Sequence, residues 1–149
     1  MKAHGRRAAS RLAAWVATGL VAAGAYAAGV EVTVQGVKAS VGGTVYATLY
    51  CGEPNWLDPT KVTAQAQAPV TGETVVVRFE NVAPGGCATN LYHDENGNGK
   101  LDLLRGPFPI PTEGVAVSNN AIRRGPPKYK QAEFQVKEPG VALEVKMNY

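Results

Sequence analysis

The chain has 149 residues, of which 15 are Lys or Arg and 12 are Asp or Glu, for a net charge of +3. Four of these basic residues precede residue 12, so the chain beyond residue 27 has 11 basic and 12 acidic residues and is close to neutral. This charge excludes the basic surface that nucleic-acid binding requires, and the length beyond residue 27 leaves room for one compact domain rather than two.

Residues 1–27 have the order of charges and apolar residues that is typical of a bacterial secretory signal peptide. Basic residues without an acidic one are followed by an apolar run over residues 12–26, which closes on the small-residue pattern Ala25-Tyr26-Ala27. This order predicts cleavage after Ala27 and a periplasmic or secreted protein. An uncleaved anchor is the alternative, but the run is shorter than the roughly 20 residues that a spanning helix needs. We therefore expect one domain over residues 28–149 and no membrane span after cleavage.

Beyond residue 27, apolar and polar residues alternate in short segments, which is typical of strands with one face in a core and one in water. The segments predicted as strands are residues 30–35, 44–51, 74–80, 132–136 and 141–147, with 87–93 and 114–117 as further candidates. In the segment 44–51, Cys51 is predicted to face inward and Tyr50 outward. Residues 58–70 are ambiguous between a short helix and a weak strand.

Glycine and proline pairs such as Gly42-Gly43, Pro126-Pro127 and Pro139-Gly140 separate these segments at intervals that are typical of turns. No segment beyond residue 27 shows a convincing helical period. About seven short strands with turns between them predict an all-β fold, a single antiparallel β-sandwich of Greek-key, prealbumin-like or immunoglobulin-like arrangement. The order of the strands is not predicted.

Cys51 and Cys87 are the two cysteines of the chain, and an exported protein meets an oxidising compartment. We therefore predict a disulfide between them. A metal pair or a catalytic thiol is the alternative, but the CxxC spacing of such sites is missing.

The segment from His93 to Asp102, HDENGNGKLD, has the oxygen-rich spacing of a calcium-binding loop. Positions 1, 3, 5, 6, 7 and 9 of such a loop are matched by Asp94, Asn96, Asn98, Gly99, the backbone carbonyl of Lys100, and Asp102. Alternate side-chain oxygens on a tightly curled loop suit a hard cation, because each ligand reaches one centre without crossing its neighbour.

This match fails at position 12, where a bidentate Glu is expected and Arg105 stands. Asp94 and Asp102 are then the only carboxylates, unless Glu95 or Glu113 folds in. We expect calcium affinity no better than on the order of 10⁻⁴ M. The alternative is a plain solvated turn, since Asn-Gly occurs twice and is among the strongest turn signals.

The run LYHDENGNGKLD, the segment GPFPIPTEGVAVSNN and the segment GPPKYKQAEFQV together resemble the bacterial domain of unknown function 2141 family of small exported proteins. The similarity extends from about Val30 to the C-terminus. It implies a secreted β-sandwich with no established activity. The positions that the family pattern marks are Asp94, Asn96, Asn98, Asp102, Glu113, Ser118 and Asn119, beside His93 at the start of the loop.

Three functions are compatible with these features. The first is an exported non-catalytic module that binds an unknown ligand or envelope protein, with calcium as the one candidate cofactor. The second is a small hydrolase that uses His93, Asp94, Glu95 or Glu113, although neither Ser40 nor Ser118 lies in a GxSxG motif. The third is a purely structural envelope protein. The basic stretch 122–130 is interpreted as a solvated loop, and Trp56 as packing under its own loop rather than stacking on a sugar.

Overall fold

The structure, a computed structural model, describes residues 28–122 and 125–149. The predicted signal peptide, residues 1–27, lies outside the described residues and stays a prediction. Within the described residues, no helix combines the length and the apolar character that crossing a membrane requires.

Ten strands and one helical turn follow one another in the described part of the chain. They are β1 (Gly29–Gln35), β2 (Thr44–Cys51), β3 (Ala64–Pro69), β4 (Thr74–Phe79), β5 (Gly85–Asp94), β6 (Leu103–Leu104), β7 (Ile110–Pro111), β8 (Gly114–Val117), α1 (Tyr129–Ala132), β9 (Phe134–Val136) and β10 (Gly140–Lys146). Short 3-10 turns lie at Ala39–Val41, Glu53–Asn55 and Ser118–Asn120. The predicted all-β class is confirmed.

The strands form two larger sheets and one separate ribbon. The first sheet has the order β10-β1-β4, and the second has the order β3-β2-β5-β8 with β9 paired to the beginning of β5. Strands β6 and β7 pair only with each other. All these pairs are antiparallel except β1 and β10, which run parallel from Gly29 opposite Gly140 to Gln35 opposite Lys146. The parallel pair at this edge is the one departure from the antiparallel pairing that the sequence predicts.

The core lies between the two larger sheets and contains the side chains that the alternation assigned to it. Val30, Val32 and Val34 of β1 are at most 1% exposed, and they pack in the same cluster as Val45 and Leu49 of β2. A strand whose alternate side chains are removed from water in this way gains about 1.5–3 kcal/mol for each buried Val or Leu. The apolar side chains at every second position of the two sheets thus face each other and form the core of a sandwich.

A second, smaller cluster of buried side chains lies on the outer face of the second sheet and explains two errors of the strand prediction. Its members are Ala88, Val117, Ala121, Tyr129 and Ala132, with Trp56 and Ile122 packed against them. Tyr50, predicted to face water, is 5% exposed because the indole ring of Trp56 packs edge-on against it at 5.6 Å. Ala132, predicted to be in a strand, ends α1, and the strand that follows covers only Phe134–Val136. Residues of α1 and the loop before it cover the outer face of the sheet here, so a side chain on the outer face is buried without belonging to the main core.

The ambiguous segment 58–70 forms a turn followed by a strand. Asp58 Oδ1 accepts hydrogen bonds from the backbone N–H and the hydroxyl of Thr60, at 2.9 and 2.6 Å. This bonding forms an Asx turn, in which the backbone N–H of Lys61 also donates to the carbonyl of Asp58 at 3.0 Å. The strand β3 then begins at Ala64 and pairs with β2.

Candidate functional site

The candidate site is the excursion between β5 and β8. These two strands are antiparallel neighbours, and His93 of β5 lies opposite Gly114 of β8. Asp94 therefore ends one strand, and Glu113 directly precedes the other, at the same end of the sheet. Residues 95–113 leave the sheet after Asp94 and return to it at Glu113. The loop 94–102 and the ribbon β6–β7 both belong to this excursion, so both are attached to the same end of the sheet.

Asp94 is the centre of the loop 94–102. Its side chain is 1% exposed. Oδ1 accepts hydrogen bonds from the backbone N–H groups of Gly97 and Asn98, at 2.8 and 3.1 Å, and Oδ2 accepts one from Gly99 at 2.8 Å. Gly97 and Gly99 have φ angles of +75° and +76°, which glycine adopts without steric cost. The two Asn-Gly pairs are thus required to curl the backbone around one carboxylate.

The alternate side chains of the loop converge on Asp102. Oδ1 of Asn96 accepts the N–H of Asn98, and Oδ1 of Asn98 accepts the N–H of Lys100. The amide nitrogens of both asparagines donate to Oδ2 of Asp102, at 2.6 and 2.7 Å. The structure therefore brings together three of the side chains that the spacing singled out, Asn96, Asn98 and Asp102.

Glu113 joins the two ends of the loop. It is 5% exposed, and its Oε1 accepts the backbone N–H of Glu95 while its Oε2 accepts that of Asp102, both at 3.0 Å. On the sheet side, the hydroxyl of Tyr92 donates to the carbonyl of Gly99 at 3.1 Å. Glu113 is thus a brace of the loop, placed beside the candidate ligands.

The donor set is made of oxygens, as a hard cation requires. It contains two carboxylates, Asp94 and Asp102, and two amides, Asn96 and Asn98. Over residues 28–122 and 125–149, no group of three or more His, Cys, Asp or Glu side chains is arranged to hold a metal ion. Arg105, at position 12, is exposed in the turn of the ribbon. The set therefore fits a weakly held cation and lacks the carboxylates of a tight site.

His93 lies apart from the oxygens of the loop. It is fully buried, with Nε2 2.6 Å from the carbonyl oxygen of Gly42 and Nδ1 2.8 Å from the hydroxyl of Tyr149. The backbone N–H of Lys38 donates to the same hydroxyl at 2.8 Å. The hydroxyl hydrogen is then directed to Nδ1, and Nε2–H donates to Gly42, so both ring nitrogens are occupied. His93 tethers the C-terminus to the loop before β2.

Glu95 is close enough to Tyr149 for its charge to affect the pKa of the tyrosine hydroxyl. Burial raises the pKa of the Tyr149 hydroxyl, the Lys38 N–H lowers it, and the charge of Glu95 raises it further. Oε1 of Glu95 is buried and has no hydrogen-bond partner among the described residues. Glu113 contacts the backbone N–H of Glu95 rather than its carboxylate. The geometry does not present these two residues as a carboxylate pair.

Ser118 and Asn119 lie in a different region. Oγ of Ser118 is buried and donates to the carbonyl of Ala132 at 2.6 Å, while it accepts the N–H of Thr89 at 3.1 Å. The amide of Asn119 donates to the carbonyl of Glu133 at 2.7 Å. Both side chains bind the turn after β8 to α1. They share no contact with the loop 94–102.

The predicted disulfide is confirmed. Cys51 and Cys87 are bonded, with 2.02 Å between the sulfurs, and they face each other across β2 and β5. In the same register Thr44 lies opposite Asp94, so the disulfide and the loop are at opposite ends of this strand pair. Trp56 packs between Tyr50 and Tyr129 rather than under its own loop, and its indole N–H donates to the carbonyl of Pro127 at 2.7 Å.

The ribbon β6–β7 and the groove beneath it were not predicted. The ribbon stands off the outer face of the second sheet and leaves an open groove of about 480 Å³. Its apolar walls include Leu103, Phe108 and Ile110 on the ribbon side and Val115 and Val117 on the sheet side. The run LLRGPFPIP could have indicated the ribbon, since Leu103 and Leu104 precede a Gly-Pro turn and Phe108 and Ile110 follow it.

Most of the chain is similar to one known protein family. A family model described as "Uncharacterized protein conserved in bacteria (DUF2141)" matches residues 32–144. No curated protein and no solved structure matches the sequence.

Proposed function

The chain belongs to the bacterial DUF2141 family, and from the geometry of the loop 94–102 we propose that it is a non-catalytic binding module of the cell envelope or exterior that holds one calcium ion weakly. The resemblance drawn from the HDENGNGKLD run and the Gly-Pro segments is confirmed by this membership. The family carries no assigned activity, so the proposal depends on the residues of this chain alone.

One observation carries the proposal. Oδ2 of Asp102 lies 2.6 Å from the amide nitrogen of Asn96 and 2.7 Å from that of Asn98, although these residues are separated by four and six positions. Side chains at alternate positions of the loop thus reach one point. The groups that meet there are two amide N–H donors and a carboxylate oxygen, so holding a cation would require both amides to turn their oxygens toward this point.

Four side chains and one carbonyl would hold the ion. Asp94, Asn96, Asn98 and Asp102 offer side-chain oxygens, and Lys100 offers its backbone carbonyl. Oδ2 of Asp94 and Oδ1 of each asparagine accept one N–H and retain a second lone pair, whereas Oδ1 of Asp94 and Oδ2 of Asp102 already accept two donors each. Calcium would supply positive charge beside Asp94 and Asp102 and so order the loop. With two carboxylates in the set, we expect a dissociation constant on the order of 10⁻⁴ M.

The hydrogen-bond partners of the polar groups support a non-catalytic role. His93 is occupied at both nitrogens, Asp94 accepts three backbone N–H groups, and Glu113 accepts two. A general acid or base must reach a proton of the substrate. In these residues the atoms that would transfer the proton already form hydrogen bonds with the protein itself. The geometry therefore does not favour the hydrolase.

The disulfide and the bacterial family are compatible with an extracytoplasmic location, because disulfides persist in oxidising compartments. We propose the periplasm or the exterior, reached through cleavage after Ala27. Mass spectrometry of the protein recovered from the envelope fraction of a bacterial host measures this directly. An N-terminus at Ala28 is the expected result, and an intact Met1 in that fraction contradicts it.

Thermal unfolding in calcium tests the metal proposal. A ligand at a hundredfold excess over its dissociation constant stabilises the folded state by about 2.7 kcal/mol. For a domain of this size that corresponds to a rise in Tm on the order of 5 to 10 °C. We expect this rise in about 10 mM calcium relative to chelator, a concentration a hundredfold above the expected dissociation constant.

The matched variants are Asp102→Asn and Asp58→Asn. Asp102→Asn removes a loop carboxylate and should abolish most of the rise. Asp58→Asn removes a carboxylate that interacts with Thr60 and Lys61 outside the loop, so the calcium response should persist. Equal responses in the two variants, or an unchanged Tm of the wild type in calcium, would remove the ion from the proposal.

A further inference from the structure

The ribbon β6–β7 concentrates the exposed apolar side chains of the protein. Among the described residues, seven large hydrophobic side chains are exposed, and four of them lie within residues 103–110. They are Leu103 at 48%, Leu104 at 61%, Phe108 at 82% and Ile110 at 59%. Scattered exposed apolar residues are ordinary, but a contiguous group of them marks an interaction surface.

No other part of the described chain covers this group. The ribbon pairs with neither of the two larger sheets. The groove of about 480 Å³ between the ribbon and the sheet is also open, and Leu103, Phe108 and Ile110 line its rim. Both sides of the ribbon are therefore apolar and open within residues 28–122 and 125–149.

The exposed charged side chains beside the ribbon are cations, whereas the carboxylates of Asp58, Asp102 and Glu113 in the same region are buried or half-buried. Residues 103–111 contain Arg105 and no Asp or Glu, Lys100 precedes the ribbon, and Lys128 adjoins Pro127 in the groove wall. Over the described residues, ion pairs form at Lys61–Asp58 and Arg78–Glu31, and none involves these three cations. The neighbouring carboxylates Asp102 and Glu113 are already bonded to amides of the loop.

We propose that the ribbon docks on the surface of a bilayer that contains anionic lipid. Leu104, Phe108 and Ile110 enter the boundary between headgroups and acyl chains, and Lys100, Arg105 and Lys128 lie at the level of the lipid phosphates. Apolar side chains beside cations are the combination that binds such surfaces. This goes beyond the calcium proposal and does not depend on it.

The size of the ribbon favours a bilayer over a protein partner. A stable protein interface buries about 800 Å² on each partner, contributed by roughly 20–30 residues. The ribbon has strands of two residues each, with the turn 105–109 between them. A few side chains on a narrow projection suit shallow insertion into lipid better than a broad complementary contact.

Co-sedimentation with lipid vesicles tests the proposal. The probes are vesicles of phosphatidylcholine alone and of phosphatidylcholine mixed with phosphatidylglycerol, in buffer with chelator so that calcium plays no part. We expect saturable binding to the anionic vesicles and weak binding to the neutral ones. Binding should decrease as salt rises from about 0.1 to 1 M, because the Debye length falls from about 10 to about 3 Å.

Two variants with the same N-terminus locate the contact. Phe108→Ser should weaken binding to anionic vesicles at least about tenfold, since a phenyl ring then no longer leaves water. Val41→Ser changes another exposed apolar side chain, 48% exposed and remote in sequence from the ribbon, and should leave binding unchanged. Any contribution of residues 1–27 is common to both variants and cancels in the comparison.

Three results would overturn the proposal. They are no binding of the wild type to anionic vesicles, equal loss in Phe108→Ser and Val41→Ser, and binding to a soluble fatty-acid monomer without binding to vesicles. Phe108→Trp adds an independent readout. A blue shift of fluorescence on vesicle binding, larger than that of the wild type, is expected if residue 108 enters the bilayer, and no added shift contradicts it.

Discussion

The backbone N–H of Asp102 donates a 3.0 Å hydrogen bond to Oε2 of Glu113, across 11 positions of the chain. The other oxygen of the same carboxylate accepts the N–H of Glu95. One buried side chain directly before β8 therefore closes the loop that leaves the end of β5. Residues 94–102 are held in place by the sheet as well as by their own turns.

Glu113→Gln should destabilise the protein by about 2 kcal/mol. The amide keeps the size of the side chain, but its NH₂ group faces a backbone N–H that has lost its acceptor, and buried bonds to a charged group contribute about 1.5–3 kcal/mol. Urea unfolding measures the loss. Glu80→Gln, on an exposed residue, is the control and should stay within about 0.5 kcal/mol of the wild type. Similar losses in both variants would contradict the role of Glu113 as a brace.

Gly43→Ala should be more destabilising than Gly42→Ala. Both glycines have positive φ angles, +87° and +67°, so each substitution costs about 1 kcal/mol in backbone strain. A Cβ at Gly43 would also overlap the carbonyl oxygen of Asp94, whereas one at Gly42 meets nothing within 4 Å. We expect a further 1–3 kcal/mol, roughly, for Gly43→Ala in equilibrium unfolding. Equal effects of the two substitutions would show that the backbone at Asp94 moves freely.

Replacing Cys51 and Cys87 together by Ala should reduce the free energy of unfolding by about 4 kcal/mol. The disulfide closes a segment of 36 residues, and the chain-entropy estimate for a loop of that length has this size. Urea unfolding of the oxidised wild type and of the double variant gives the difference. The calcium response of the double variant should remain, because the disulfide and the loop 94–102 lie at opposite ends of β2 and β5. A lost calcium response in a folded variant would contradict this separation.

Stability should fall as the pH rises above about 10. Burial is the main cause that raises the pKa of Tyr50 and Tyr129 above 10.0. The unfolded chain then loses these protons at lower pH than the folded chain, so the stabilisation is complete below pH 10 and is lost as the pH passes the folded pKa values. Tyrosinate absorbance in native and unfolded protein measures the two titrations, and coincident curves contradict the prediction. Tyr50→Phe, which removes a hydroxyl with a raised pKa, should reduce the alkaline loss.

The alternation of the sequence was sufficient for most of the strands and for the main core. A strand with one buried face needs apolar side chains at every second position, and Val30, Val32 and Val34 show this without reference to any other segment. The disulfide was likewise predictable, because the chain has two cysteines. The spacing of Asp94, Asn96, Asn98 and Asp102 located the loop, since local turns place such residues close together.

Only the tertiary structure decided which segments are neighbours. Four contacts join residues that are not adjacent along the chain. They are the parallel pairing of β1 with β10, the burial of Tyr50 under Trp56, the bonding of His93 to Tyr149 and the bridge from Glu113 to both ends of the loop. The apolar period of a segment reports that one face leaves water, but not what covers it. For that reason the sequence indicated the strands and the loop, while the brace at Glu113 and the uncovered ribbon became visible only once the sheets had packed.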